Sequence, residues 1–257
     1  MCELFGFNSR YPYVINEYLK TFFSHSIHHP HGWGLACLDD GECSLEKEPI
    51  KAADSHYLKE RLTMDINSRT VLAHIRYATI GNLGYKNCHP YSGNDSSGRR
   101  WTLIHNGTIF QYEPINGYIH IQAGTTDSER VFLYLIDQMN LAMNKKGGPL
   151  NEEERFDVLD AMIVDMAKGN KLNIMIYDGE QLYVHMNAPD TLHYFRKRDF
   201  IMFATTPLSK YGWEDMPLNT LYAFKEGRPI YKGTTHDGSY IMNPEDYKYL
   251  YQEFANL

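Results

Sequence analysis

The chain has 257 residues, which at roughly 150 residues per domain leaves room for one large domain or two small ones and excludes two full-sized enzymes joined end to end. Its 25 Lys and Arg against 32 Asp and Glu give a net charge of -7, the opposite of the basic footprint of a nucleic-acid-binding protein. No apolar run approaches the ~18 residues of a membrane span, and the start Met1-Cys2-Glu3-Leu4 lacks the basic region of a secretory signal.

The predicted elements begin with a strand over residues 2–7 and a short helix over 16–24. Strands over 33–38 and 43–47 flank Asp39-Asp40-Gly41, a hairpin turn signal. A short helix is expected over 55–62. A strand follows over 70–77, with Val71, Ala73 and Ile75 on one face. Residues 101–104 form another strand. Thr126-Asp127-Ser128-Glu129 has the capping-box pattern and opens a helix whose apolar stripe is Phe132, Leu135, Ile136, Met139 and Met143. A second long helix over about 151–168 carries Phe156, Leu159, Ile163 and Met166, with Gly169 positioned as its C-terminal glycine. Strands over 172–177 and 182–185 meet at Asp178-Gly179, and two more cover 201–205 and 221–225.

Residues 92–100 and 145–149 are the best breaks, and neither is long enough for a linker. The whole chain, 1–257, is therefore expected to be a single domain. Hairpin-linked strands imply antiparallel sheets, and each helix must lay its one apolar stripe on a sheet face. The expected fold is an α+β sandwich, two packed sheets with helices outside. Cys2, Cys37, Cys43 and Cys88 lack paired metal spacing, so the cytoplasm is the expected compartment.

Four places could carry chemistry. Removal of Met1 would leave the α-amine of Cys2 beside its own thiol. An α-amine titrates near ~8, so it can act as the base for that nucleophile. The competing reading makes Cys2 a small apolar residue opening a strand. Arg76, in His74-Ile75-Arg76-Tyr77-Ala78-Thr79, stands at a strand end, where its planar fork suits a carboxylate; the alternative is a structural ion pair. His105-Asn106-Gly107 offers a side-chain N–H from Asn106 and an unobstructed backbone N–H from Gly107, the components of an oxyanion hole. Asn-Gly is also a common turn, and a hairpin is the competing reading. Asp127 could hold an ammonium group, or simply complement the helix dipole.

The order of these pieces is more specific than any one of them. Cys2, Gly32-Trp33-Gly34, His74-Ile75-Arg76-Tyr77-Ala78-Thr79, Asn87-Cys88-His89-Pro90, His105-Asn106-Gly107 and Thr126-Asp127-Ser128-Glu129 follow one another as in the class II glutamine amidotransferases. The chain resembles that family, the N-terminal-cysteine branch of the Ntn hydrolases, strongly from Cys2 to about Leu135. The resemblance implies a four-layer αββα sandwich. It implies Cys2 as nucleophile with its α-amine as base, and Asn106 and Gly107 as the oxyanion hole. Arg76, helped by Thr79, would bind the substrate α-carboxylate, Asp127 the α-ammonium, and His89 would support the pocket. The reaction implied is hydrolysis of the γ-amide of glutamine or a γ-glutamyl compound through a Cys2 thioester. Two positions depart from the pattern: His31 precedes Gly-Trp-Gly where an acidic residue is common, and Tyr77 follows Arg76.

No nucleotide-binding or acceptor-binding motif follows the sandwich, and no cofactor is expected. An ammonia-using partner, if there is one, would be a separate chain; no nucleic-acid or membrane partner is expected. Two rival readings remain. One is a binding or regulatory module that keeps the pocket without turnover. The other is a metal-dependent hydrolase built on His25, His28, His29 and His31, although Pro30 interrupts any shared helix face.

Overall fold

The structure, a computed structural model, describes residues 2–39 and 42–243; Met1 and two residues of the first hairpin turn, Asp40 and Gly41, lie outside that range. Thirteen strands and four α-helices are present among the described residues. The strands are β1 (Glu3–Val14), β2 (Trp33–Asp39), β3 (Glu42–Glu48), β4 (Asn67–Ile75), β5 (Tyr91–Asn94), β6 (Arg100–Thr108), β7 (Lys171–Tyr177), β8 (Leu182–His185), β9 (His193–Arg196), β10 (Phe200–Ala204), β11 (Trp213–Asp215), β12 (Tyr222–Lys225) and β13 (Arg228–Lys232). The helices are α1 (Asn16–Ser24), α2 (His56–Arg61), α3 (Asp127–Lys146) and α4 (Glu152–Ala167).

The strands form two antiparallel sheets, one ordered β11-β9-β10-β1-β4-β2-β3 and the other β13-β12-β8-β7-β6-β5. Side-chain alternation divides the apolar residues into three layers. Phe5, Phe7, Val71, Ala73 and Ile75 of the first sheet pack with Leu19 and Phe22 of α1 and Leu58 of α2. Leu103, Leu172, Ile174 and Ile176 of the second sheet pack under α3 and α4 through Leu135, Met139, Leu159 and Ile163. Leu4, Ala36, Leu72, Ile104, Met175 and Val184 fill the space between the sheets. The result is the α+β, four-layer αββα arrangement expected from the stripes. Gly6 belongs to the middle layer, and a Cβ there would lie 2.6 Å from the sulfur of Met175. That close approach fixes how β1 lies over β7.

The helix ends follow their caps. Ser55 accepts from the amide of Leu58 at the start of α2. The capping box is complete at α4, where Asn151 and Glu154 satisfy each other's amides. At α3 it is only half formed: Thr126 accepts from the Glu129 amide, while the Glu129 carboxylate turns away to the amides of Ala123 and Gly124. The main correction concerns β6. Asn106 and Gly107 do not make a turn; they continue the strand, opposite Asn173 and Leu172 of β7.

Candidate active site

The site is built from strand parity. In β1, Phe5 and Phe7 face the helices and Leu4 faces the second sheet, so Cys2 points between the sheets as Leu4 and Gly6 do. His74, opposite Leu4 on β4, shares that face. Across the gap, Ile104 and Met175 face inward and are paired. The pairs Asn106–Asn173 and Thr108–Lys171 continue the same inner face toward one end of the sandwich. The polar residues of the inner layer gather at this end.

The Cys2 thiol is half-buried and held by one peptide unit. Its sulfur accepts from the amide of Tyr77 at 3.4 Å, and the S–H donates to the Tyr77 carbonyl at 3.4 Å. Burial pushes the thiol pKa up, while the backbone bond at Tyr77 and the charges of Arg76 and Lys171 act the other way. Tyr77 is in turn fixed by its neighbours. The Ala78 amide donates to His31 Nδ1 at 2.9 Å, and the His31 ring lies 5.2 Å from that of Tyr77. His31 is thereby held neutral, its pKa lowered by burial and then by Arg76. So the two departures from the family pattern, His31 and Tyr77, pack against each other beside the thiol.

Arg76 is buried, and its guanidinium donates to the carbonyls of Ile80 (2.9 Å), Gly81 (3.1 Å) and Asn82 (3.1 Å). It makes no structural ion pair among the described residues. Thr79 lies half-buried in the same loop. This loop is tied to the N-terminus of α3: the Asn82 amide donates to Thr125 Oγ1 at 3.0 Å, and Asn87 bridges the Asn82 carbonyl and Thr125. Asp127 begins the helix. Its carboxylate accepts from the amides of Ile109 (2.8 Å) and Ser128 (2.9 Å), so it joins α3 to the end of β6. Arg76 and Asp127 are therefore brought to one end of the molecule by a single connected loop system.

Asn106 is buried on the inner face, and its side chain makes no hydrogen bond among the described residues. Gly107 is sterically required: a Cβ would lie 1.9 Å from the Lys171 carbonyl oxygen and 2.3 Å from His105 Nε2. His105 itself bonds Ser128 Oγ (3.0 Å) and the Lys171 carbonyl (3.2 Å). His89 packs 4.1 Å from the His74 ring and 4.8 Å from the Tyr91 ring, with both ring nitrogens buried and unbonded. Burial lowers its pKa well below the usual histidine range, so it is a neutral ring in the wall beneath the site.

The histidine-rich segment does not converge. His25 Nδ1 bonds Glu3 at 2.9 Å, His29 Nε2 lies 4.0 Å from the same carboxylate, and His31 turns toward Ala78. No group of three possible ligands suits a metal ion among the described residues. No helix among them is long and apolar enough to cross a membrane.

Thr125 and Lys171, both near the proposed site, escaped the sequence reading. Asn87 entered it only as part of the Asn87-Cys88-His89-Pro90 motif, and its cross-link to Thr125 shows only in the structure. Lys171 opens β7 one residue before the predicted strand; the period-two pattern of Lys171, Asn173 and Met175 would have put it on the inner face.

Comparison with known proteins adds to this geometry. A family model described as glutamine amidotransferases class-II matches residues 1–201. An uncharacterized protein of Methanocaldococcus jannaschii is 30% identical over 90% of this chain and 71% of its own. YafJ of Escherichia coli is 27% identical over 77% of each chain. Among solved structures, a Pseudomonas aeruginosa protein described as a predicted glutamine amidotransferase superposes with a TM-score of 0.65 at 21% identity, covering 90% of this chain and all of that one. Glutamine phosphoribosylpyrophosphate amidotransferase from Bacillus subtilis, complexed with ADP and GMP, superposes with a TM-score of 0.64 at 15% identity, over 92% of this chain and 50% of that one. At these identities the superpositions speak to the fold.

Proposed function

The chain belongs to the class II glutamine amidotransferases, an enzyme family, and from that premise we propose that it hydrolyses the γ-amide of glutamine or a γ-glutamyl compound through a Cys2 thioester. The observation that supports this most is the register described above. It sets Cys2 on β1 and Asn106 on β6 on facing inner surfaces, at the end where the loops of Arg76 and Asp127 meet.

In the proposed reaction the processed chain begins at Cys2. The α-amine takes the thiol proton, and the thiolate attacks the γ-carbonyl. The tetrahedral oxyanion is met by the Asn106 side-chain N–H and the Gly107 backbone N–H. The α-ammonium of Cys2 passes its proton to the leaving nitrogen as ammonia or an amine departs, and water, activated by the freed α-amine, hydrolyses the thioester to a γ-carboxylate and restores the Cys2 thiol. The substrate α-carboxylate goes to Arg76, with Thr79 beside it. A guanidinium has five N–H donors, and the loop carbonyls leave some available. The α-ammonium goes to Asp127, whose oxygens can accept beyond the two amide bonds they already have. Holding both ends turns a bimolecular attack into a positioned one. His89 supports the wall and moves no proton. In this reading residues 1–257 act as one amidotransferase domain in the cytoplasm, consistent with four free cysteines. Any ammonia-accepting partner would be a separate protein.

The test is intact mass before and after treatment with a diazo-oxo-norleucine, a glutamine-analogue electrophile. The expected result is a chain lacking Met1 that gains one adduct on Cys2, with no adduct on Cys2→Ala. Folded, Met1-free protein that takes no label would defeat the mechanism. A panel of glutamine against γ-glutamyl peptides then identifies the leaving group.

A further inference from the structure

Lys171 is the buried cation whose chemistry the proposed reaction leaves unused. It is a lysine with only 3% of its surface exposed, and the reaction described above gives it no role. Its position follows from the sheets. Gly6 of β1 meets Met175 of β7 across the gap. Counting back by twos along each strand keeps the inner face, so Leu4 and Cys2 on one sheet and Asn173 and Lys171 on the other face the same gap toward the same end of the sandwich. Packed sheets lie about 10 Å apart. A lysine stem reaches far across that gap, where asparagine or alanine would not. The backbone of Lys171 is also part of the site, since its carbonyl accepts from His105 and closes on Gly107.

We propose that Lys171 is a positioning residue for the Cys2 nucleophile: its ammonium faces the sulfur across the sandwich and stabilises the thiolate. This deepens the reading of Cys2 as nucleophile and rests on it. When the S–H bond breaks, the proton passes to the α-amine of Cys2; Lys171 keeps its own proton and supplies only its field. The thiol and the ammonium each feel the other's charge, which lowers the one pKa and raises the other. Burial is the larger influence on the lysine and brings it down to about 8, so it stays mostly charged at neutral pH. Lys171 also borders a cavity of about 230 Å³ whose other walls include Ala188, Pro189, Thr191 and Tyr240. Lys171 itself is buried, so bulk water screens its field less than it would at the surface. The other charged or titratable side chains acting on the thiol are Arg76 from the end of β4 and Cys88 from the following loop; once Met1 is removed, the α-amine of Cys2 itself joins them.

The test is the pH dependence of Cys2 alkylation by iodoacetamide, read by peptide mass on Met1-free protein. Wild type is compared with Lys171→Met, Lys171→Gln and Lys171→Arg, each confirmed folded by thermal melt. Both neutral variants are expected to react roughly tenfold more slowly at neutral pH, with the profile displaced upward by about one unit. Lys171→Arg is expected to retain the wild-type rate at neutral pH. Superimposable profiles for wild type and a folded neutral variant overturn the proposal. If neither neutral variant folds, the reciprocal measurement on wild type decides: the Lys171 pKa read by NMR is expected to fall once Cys2 is carbamidomethylated, and an unchanged value overturns the proposal. None of these results removes Cys2 as nucleophile. That reading fails separately, if the wild-type protein takes no glutamine-analogue label.

Discussion

At the scale of single residues, the proposed site draws on Asn106 and Asp127 and on Gly107, a position that tolerates no side chain. Asn106 is buried without a side-chain hydrogen bond among the described residues, so Asn106→Ala breaks no hydrogen bond seen among them. Loss of an oxyanion donor should lower kcat by about 10²–10³-fold with KM and melting temperature little changed, which steady-state kinetics and a thermal melt would check. Gly107→Ala should behave differently. Its Cβ would meet the Lys171 carbonyl at 1.9 Å, and the rigid backbone of β7 cannot yield. Overpacking of this kind costs about 1–3 kcal/mol, so the melting temperature and kcat should fall together. Asp127→Asn keeps the shape but loses the charge that would hold an ammonium group, and a rise in KM larger than the fall in kcat is expected. A KM unchanged in that variant would return Asp127 to the role of a helix cap.

At the scale of elements, the two ends of β7 have separate duties. Lys171 begins the strand at the site. Asp178, just past its other end, ties the β7–β8 turn to α4. The fully buried Asp178 carboxylate accepts from Arg155 Nε (2.6 Å), Tyr183 Oη (2.8 Å) and the amides of Glu180 (2.9 Å) and Gln181 (2.7 Å). Arg155 is also buried and reaches Glu180 at 2.5 Å. Removing one member of a buried pair leaves the other charge uncompensated, at about 3–5 kcal/mol. Asp178→Ala should therefore lose about that much stability in urea. Its kcat below the melting range should remain near wild type, because seven strand residues, about 23 Å, separate the change from the thiol. A large loss of kcat in folded Asp178→Ala protein would show that the two ends of β7 are coupled.

At the scale of the molecule, the buried histidines set the acid limit. His74 and His185 are held neutral by burial, each pKa lowered to about 3, and His89 and His105 are shifted in the same direction, chiefly by burial. The unfolded chain protonates its histidines near ~6.5. Below that pH the unfolded state binds protons that the folded state refuses, so stability falls as pH falls. His25 opposes this in part. Its hydrogen bond to Glu3 raises its pKa, and the stability it contributes is present in acid and lost as pH rises through its folded value. His31 and His236 are shifted the same way by burial, so with six groups against one, unfolding free energy measured in urea between pH 6 and 5 should drop by more than about 1.4 kcal/mol per unit, the limit for a single proton. A shallower slope would mean that water reaches these rings.

Local pattern alone carried much of this description. The strands flanking the Asp39-Asp40-Gly41 signal, the Thr126 cap and the alternation of Val71, Ala73 and Ile75 are short-range physics, and each defines an element where it was expected, although Asp40 and Gly41 themselves lie outside the described residues. The order of motifs from Cys2 to Asp127 likewise needed no coordinates. The strands β5, β9, β11 and β13 were not legible, because they are short or polar and exist by pairing with distant neighbours. The Asn106-Gly107 dipeptide reads locally as a turn and becomes a strand only because β7 pairs with it. The facing of Cys2 and Lys171 is of the same kind. They lie 169 residues apart in sequence, and nothing local to either chain segment relates them. Only the stacking of two sheets, with Gly6 admitting Met175, fixes that relation, since packing depends on contacts between surfaces that the linear sequence keeps apart.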